Sequence, residues 1–435
     1  MAHVILLLFA AAILLCVVFG QSILYALALG TVLFSLYARR SYTSREVLHM
    51  VLVGVGEMKV LFLFFTLIGM MTALWRLCGT IPAIICYAAR IITPKIFLLM
   101  TFLLNCGVSL LIGTSFGTAT TMGVICMTMG RSLGLSPMLL GGAILSGIFF
   151  GDRCSPVSSS AYLVAETTGT DIRKNIRRMF QTALVPFLLS VATYLLLGFL
   201  SPVSGEASGV TDVFLRNFHI SLITALPAVI ILLLSCLRVD VKLAMLFSIV
   251  TAFVLCLTVQ GTAAAEALRA CVFGYAAADE ELAPLLNGGG IASMVNVMFI
   301  VGLSSSYAEI FRKTDLLNGL KTWLKGLSAN ITAYGACLCA SILTTMITCN
   351  QSFPTILVSQ LCEEVLPDRE ERAIALENSI IVVAALIPWS IAAVVPLTAV
   401  DAPLSAICAA CYLYLLPVWT WRNAFKNEQR KKQQA

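Results

Sequence analysis

The strongest constraint on this chain is the recurrence of apolar stretches of about 20 residues, the length a helix needs to cross a bilayer. Phe180–Leu200, Phe218–Leu237, Val241–Gln260 and Ile291–Phe311 are of this kind, and the charges gather between such runs. In hydrocarbon every backbone N–H and C=O must find a partner inside the protein, so these stretches are expected to be helices. Only 11% of the 435 residues are charged, against about 25% in soluble globular chains. Composition thus places the chain in the membrane class, and no shift along it marks a soluble domain.

Against this background the stretch Gly151-Asp152-Arg153-Cys154-Ser155-Pro156-Val157-Ser158-Ser159-Ser160 is anomalous. Apolar segments flank it, Met138–Phe150 before and Ala161–Val164 after. A helix broken by Pro at membrane depth frees backbone groups that lipid cannot satisfy, so the break must be buried in protein or face a watery cavity. An acid and a base at that depth point to function. The plain alternative is a cytoplasmic loop between two helices.

The charge distribution sets a topology. Arg39, Arg40 and Arg45, Arg173 to Arg178, Arg312-Lys313 to Lys325, and the tail Arg422 to Lys432 hold most of the basic residues of a chain with net charge +6. That is a positive-inside signal and not a nucleic-acid footprint. The run Val4–Val18 lacks a basic leader and a convincing cleavage site, so a retained first helix is expected. The fifteen cysteines lie singly in apolar runs with no zinc spacing, as small hydrophobes do. Glu57 and Lys59 stand near the start of a third span, Val51–Leu77, where long side chains snorkel.

The second half repeats the order of polar interruptions in the first. Leu67-Ile68-Gly69 answers Ile300-Val301-Gly302, Ser115-Phe116 answers Ser352-Phe353, and Ser155-Pro156 answers Pro388-Trp389-Ser390, at offsets of 232 to 237 residues. Each half reads as a span, an amphipathic helix (Leu316–Leu327 in the second), a hairpin with a polar tip, a broken span and a full span. The basic flanks fall at opposite ends of corresponding spans, which makes the halves inverted and gives ten crossings with both termini cytoplasmic. The expected fold is an all-α polytopic membrane protein of two inverted-topology repeats, each with a re-entrant hairpin and a broken transmembrane helix. Its divisions are 1–50, an N-terminal helical hairpin and cytoplasmic loop; 51–200, repeat 1; 201–290, linking helices, with Ser201–Asn217 and Asp279–Glu281 outside; 291–421, repeat 2; and 422–435, a basic cytoplasmic tail. This is the pattern of a secondary transporter with its site at the midplane.

The tips and breaks supply the candidate site. Thr114, Ser115 and Thr118 come from the first tip, and Asp152, Ser155, Ser158 and Ser159, with Ser160, from the first break. Asn350, Gln351 and Ser352 come from the second tip, and Trp389 and Ser390 from the second break. Glu377 precedes the second broken span and reads equally as a solvated loop residue. Hydroxyl, amide and freed carbonyl oxygens are hard ligands suited to a transported Na⁺, at Asp152, Ser155 and Ser158 in the first place. Half-helix N-termini suit a carboxylate.

These motifs resemble those of the NhaC-type Na⁺/H⁺ antiporters, which include malate/lactate antiporters. The family's Gly-Asp-Lys-x-Ser-Pro-Leu-Ser-Asp-Thr element stands here as Gly151 to Ser160, and its Gly-Thr-Ser/Ser-Trp-Gly-Thr element as Gly113-Thr114-Ser115-Phe116-Gly117-Thr118. Its Asp-Gln-Tyr tip resembles Asn350-Gln351-Ser352, and its Leu-Glu-Asp and Ile-Pro-Trp-Asn elements resemble Leu376-Glu377-Asn378 and Ile387-Pro388-Trp389-Ser390. Where that pattern has Asp, this chain has Ser159, Asn350 and Asn378, so three acids are neutral. The resemblance implies a secondary transporter, antiporter-like, moving Na⁺ and/or H⁺ coupled to a small solute. The lost acids favour the alternative, a Na⁺- or H⁺-coupled carrier of an organic carboxylate or amino acid without Na⁺/H⁺ exchange. An ion channel ranks lower, because a channel wants a symmetric filter. An enzyme is not expected, since the chain has neither HExxH nor paired intramembrane aspartates. No cofactor, resident metal or nucleic-acid partner is expected. The partners are an ion or small solute and the bilayer of a bacterial inner membrane, and the reading is compatible with a homodimer.

Overall fold

A computed structural model describes residues 2–19, 21–89, 94–156, 158–201, 213–237, 239–277, 282–314, 326 and 331–434. These residues are almost all helical; among them the only β-pairing is an isolated bridge between Tyr275 and Gly288. Five helices are long and apolar enough to cross a membrane: Lys59–Leu77, Pro94–Ile112, Ile172–Leu200, Val241–Thr258 and Ile291–Phe311. A bent pair, Arg369–Leu386 and Ile391–Ala399, meets the same length and composition test when taken together and turns by 57° at its break. On Ile172–Leu200 the residues Phe180, Leu184, Leu188, Leu196 and Leu200 are all exposed. They stand four or eight residues apart, so successive ones lie one or two turns along the helix. An exposed apolar surface of this kind is what lipid covers.

The N-terminal hairpin, Ala2–Val18 and Ile23–Ala38, leans on Ile291–Ser306 and, through the rings of Phe9 and Phe34, on Tyr307 and on Phe311 of the next helix, Ala308–Lys313. The expected single span Val51–Leu77 is two helices, Ser44–Gly56 and Lys59–Leu77, joined at Glu57-Met58. Thr43 starts the first of these with a capping box closed by Glu46. The expected helix over Leu316–Leu327, the loop Ser201–Asn217 between 202 and 212, and Asp279–Glu281 lie outside the described residues.

Two helix pairs position the site. Pro94–Ile112 lies along Pro137–Cys154, the most extensive helix contact among the described residues. Gly147 and Gly151, one turn apart, make that approach possible: a Cβ at Gly147 would stand 2.7 Å from the Phe102 carbonyl, and one at Gly151 2.2 Å from the Ser109 Cβ. Small residues one turn apart bring membrane helices to backbone contact. Two hydrogen bonds cross the seam, Ser109 Oγ to the Ile148 carbonyl at 2.6 Å and Ser155 Oγ to the Leu110 carbonyl at 2.7 Å. The second pair is Ala333–Thr348 and Ser352–Leu361, which pack together after the left-handed turn at Cys349, φ 57°.

Candidate functional site

At the first tip, Gly113 turns the chain with φ 76° and Thr114 caps a new helix by accepting the Gly117 N–H at 3.1 Å. The interruption is therefore only Gly113-Thr114; Ser115 to Thr118 already form the first helical turn, which passes through a π-turn, Ala119–Gly123, into Val124–Ser132. Thr118 is buried and donates to the Thr114 carbonyl at 2.9 Å. The first break is also narrower than the sequence suggests. The helix runs on to Cys154, so Asp152 and Arg153 occupy its last turn, and a new helix starts at Ser159 with Ser158 as its cap.

Asp152 faces the resumed helix across the break. Its Oδ1 accepts the Ser158 hydroxyl at 3.0 Å, with Ser115 and Ser160 its other polar neighbours. Ser158 also caps Ser159–Thr168, accepting the N–H groups of Ser160 and Ala161 at 3.2 and 3.3 Å, and its hydroxyl lies 2.8 Å from that of Ser160. One carboxyl and three hydroxyls, from the first tip and both sides of the first break, thus form an all-oxygen cluster of the kind that suits Na⁺ or a proton. Ser155 is engaged with the neighbouring helix, while Pro156 and Ser159 are exposed, so Ser159 lies off this cluster and the break has an open side.

Arg153 does not pair with its neighbour Asp152. It is fully buried and points the other way. Its Nε donates to the Glu377 carbonyl at 3.1 Å, and Nη1 to the Met179 carbonyl at 3.2 Å and the Tyr412 hydroxyl at 3.5 Å. Its Nη2 donates to Thr182 Oγ1 at 2.9 Å and to the Asn378 side-chain oxygen. Asn378 in turn donates to Thr420 Oγ1 at 3.1 Å, and its carbonyl accepts the Tyr334 hydroxyl at 2.8 Å. Thr182, Tyr334, Tyr412 and Thr420 escaped the sequence reading; the only available signal was a polar atom in each of several apolar spans.

Glu377 is not a loop residue. It lies in the last turn of Arg369–Asn378, fully buried, and neither carboxyl oxygen has a hydrogen-bond partner among the described residues. Its charged neighbours are Arg153 and Asp152. The helix stops at Ser379, whose hydroxyl donates to the Ala375 carbonyl at 2.6 Å and accepts from Ser341 at 3.0 Å. The second span is therefore interrupted twice, at Ser379 and again at Ile387–Ser390.

The second tip is tied to that second interruption. The Cys349 carbonyl accepts the Ile391 N–H at 2.8 Å, Gln351 Nε2 donates to the Ile381 carbonyl at 3.0 Å, and Trp389 Nε1 to the Met346 carbonyl at 2.9 Å. Asn350 accepts the Phe353 N–H at 3.2 Å, and Ser390 caps its helix through the Ala392 N–H at 3.3 Å. Ser352 is exposed. The halves then interlock. Ile391–Ala399 packs on Ser115–Thr118 and on Pro137–Cys154, while Ser352–Leu361 and Arg369–Asn378 pack on Ser159–Thr168. Thr114 and Gly117 also line a cavity of 390 Å³ that they share with Ser235, Asp240 and Lys242.

Residues 147–420 match the Na⁺/H⁺ antiporter family, a range that holds both breaks, Asp152, Arg153, Glu377 and the second tip. Among curated relatives, the Na⁺/H⁺ antiporter NhaC of Alkalihalophilus pseudofirmus is 25% identical over 338 residues, covering 75% of this chain and 72% of that protein. The malate-2H⁺/Na⁺-lactate antiporter of Bacillus subtilis is 25% identical over 365 residues, 81% of this chain and 78% of that one. The arginine/ornithine antiporter ArcD of Halobacterium salinarum is 28% identical over 276 residues, 62% of this chain and 56% of that protein.

Proposed function

Because the chain belongs to the Na⁺/H⁺ antiporter family, we propose that it couples Na⁺ or H⁺ to a small solute through two buried carboxyls, Asp152 and Glu377, set against one fixed cation, Arg153. It is a secondary active, antiporter-type transporter of a membrane. The observation that carries the coupling site is Glu377. A fully buried carboxyl with no hydrogen-bond partner is too costly to stay an uncompensated anion, so a proton or a cation must balance it. With both carboxyls ionised and Arg153 charged, the site is one positive charge short. That vacancy can be filled by a proton or by Na⁺ but not by both, and such competition is the basis of exchange.

The finer architecture belongs to the same proposal: two inverted repeats, 51–200 and 291–421, each with a re-entrant hairpin and a broken span, flanked by the N-terminal hairpin, the linking segment 201–290 and a cytoplasmic tail. Its support is the interlock of each half's tip with the other half's broken helix and the matched order of interruptions. The positive-inside rule puts both termini in the cytoplasm.

The test is transport in proteoliposomes with Asp152→Asn and Glu377→Gln. Each keeps the shape of the side chain and cannot ionise. Solute counterflow should persist while the response to an imposed pH or Na⁺ gradient is lost. Gradient-driven uptake at the wild-type rate in a folded Glu377→Gln variant would remove Glu377 from the coupling site. A second reading, an organic-solute carrier without Na⁺/H⁺ exchange, is favoured by Asn378. Its amide holds Arg153 where the family pattern has an acid, so the site carries one anion fewer.

A further inference from the structure

Two nine-residue helices that lead away from the site, Val124–Ser132 by way of Ala119–Gly123 and Ile391–Ala399 directly from the second break, end together at another place. Each spans about 14 Å. Arg131 near the end of the first donates to the Asp401 carboxylate at 2.8 Å and to its carbonyl, just beyond the end of the second. Asp401 sits in a left-handed turn, φ 56°. Between this pair and Arg76 lies a cavity of 530 Å³, whose lining includes Thr72, Asn287 and Ser293. Its inner wall reaches Val124, Met127 and Thr398 on the same two helices.

Arg76 is half-buried at the end of Lys59–Leu77, and among the described residues its one hydrogen bond runs to the Thr72 carbonyl at 3.3 Å. Gly288 and Gly289 lie against the guanidinium; a Cβ at Gly289 would stand 2.8 Å from Nη1. A guanidinium presents five N–H donors in a planar fork. Among the described residues most of that fork has no partner, and the charged groups of the wall are two arginines against one aspartate. A cation is repelled from such a cavity. A planar oxyanion fits it, because it can take two parallel hydrogen bonds from one guanidinium. The volume lies within the range of about 300–1,000 Å³ typical of small-molecule sites.

We propose that this cavity is a carboxylate-binding vestibule, in which Arg76 binds an organic acid and the Arg131–Asp401 pair is the latch the acid opens. A carboxylate beside Arg76 competes with Asp401 for Arg131. The latch is weak enough to yield, its side chains being 38% and 72% exposed. Its release frees the far ends of both helices that lead away from the site. The vestibule's place in transport rests on the antiporter reading; binding itself needs neither a gradient nor Asp152 or Glu377. A failed coupling test therefore leaves it standing, and its own failure leaves the coupling site standing.

The experiment is thermal stabilisation of the purified full chain in detergent by sodium succinate and sodium acetate, against acetamide, sodium phosphate and sodium chloride at matched sodium and ionic strength. The carboxylates should raise Tm with saturation, and acetamide and chloride should not. Arg76→Gln should weaken the apparent affinity at least about tenfold, as loss of a charge-assisted pair does. Arg76→Lys should weaken it too, because it keeps the charge and loses the fork, and it serves where Arg76→Gln does not fold. Asp401→Asn should tighten binding by removing the competitor. Undiminished stabilisation in both Arg76 variants overturns the proposal, and so does a wild type that no carboxylate stabilises. A larger shift with phosphate than with succinate overturns the assignment to carboxylates.

Discussion

Alanine at Gly151 tests how the first broken helix is held. Its Cβ would stand 2.2 Å from the Ser109 Cβ and 2.6 Å from the Leu110 backbone nitrogen. Carbon atoms in contact sit about 3.5–4.0 Å apart, so the two helices must separate by roughly 1 Å or more. The backbone atom cannot rotate away as a side chain can. Such overpacking costs about 1–3 kcal/mol. The same separation stretches the Ser109–Ile148 and Ser155–Leu110 hydrogen bonds, now 2.6 and 2.7 Å, at a loss of about 1 kcal/mol each. Better helix propensity returns up to about 1 kcal/mol. The net effect is a destabilisation of about 2–4 kcal/mol. Gly107 is the internal control. It lies on the partner helix, Pro94–Ile112, and a Cβ there meets nothing within 4 Å. Gly107→Ala should be neutral or stabilising by up to about 1 kcal/mol. Scanning fluorimetry of both variants in one detergent at one heating rate measures the difference, the fixed rate being needed because unfolding of such proteins is under kinetic control. Ser109→Gly added to Gly151→Ala should recover part of the loss. If Gly151→Ala melts together with Gly107→Ala, the close approach of the two helices is wrong.

Asn378→Asp should give Arg153 a carboxylate partner and raise the number of buried carboxyls near it to three; stronger Na⁺ dependence of uptake is expected, and unchanged dependence in an active variant counts against the charge count. Ser159→Asp with Asn350→Asp should act more weakly, because Ser159 is exposed and Asn350 half-buried; a larger effect than Asn378→Asp reverses that ranking. Outside the membrane, Asp171 and Asp368 cap the helices Ile172–Leu200 and Arg369–Asn378. The backbone N–H groups of Lys174 and Arg173 hold the first carboxyl below its ordinary value, and those of Glu371 and Glu370 the second. A folded pKa below the unfolded one stabilises fully above the unfolded value, near about 3.9, and is lost as pH falls through the folded value. Asp368→Asn should therefore flatten the acid limb of a pH–Tm profile and leave the neutral region little changed, and an unaltered acid limb contradicts the cap.

The sequence by itself determined the membrane class, most of the long apolar helices and two of the places where helices break. Apolar length, Pro and Gly act locally, so Phe180–Leu200 and the interruptions at Ser155-Pro156 and Pro388-Trp389 could be read without knowing any neighbour. It also supplied Asp152, since an acid in an apolar run is costly wherever the chain goes. What it left undecided was direction and company. Arg153, adjacent to Asp152 in the chain, leaves the helix on another face and binds groups on the helices that carry Met179, Asn378 and Tyr412. Glu377, equally readable as a solvated loop residue, proved fully buried beside both. Thr182, Tyr334 and Thr420 carry no local mark, because one hydroxyl in a span is ordinary until a partner stands opposite. The tertiary structure decided these because buried charge is stabilised by groups from distant helices, and helix packing, not neighbourhood in the chain, brings them together.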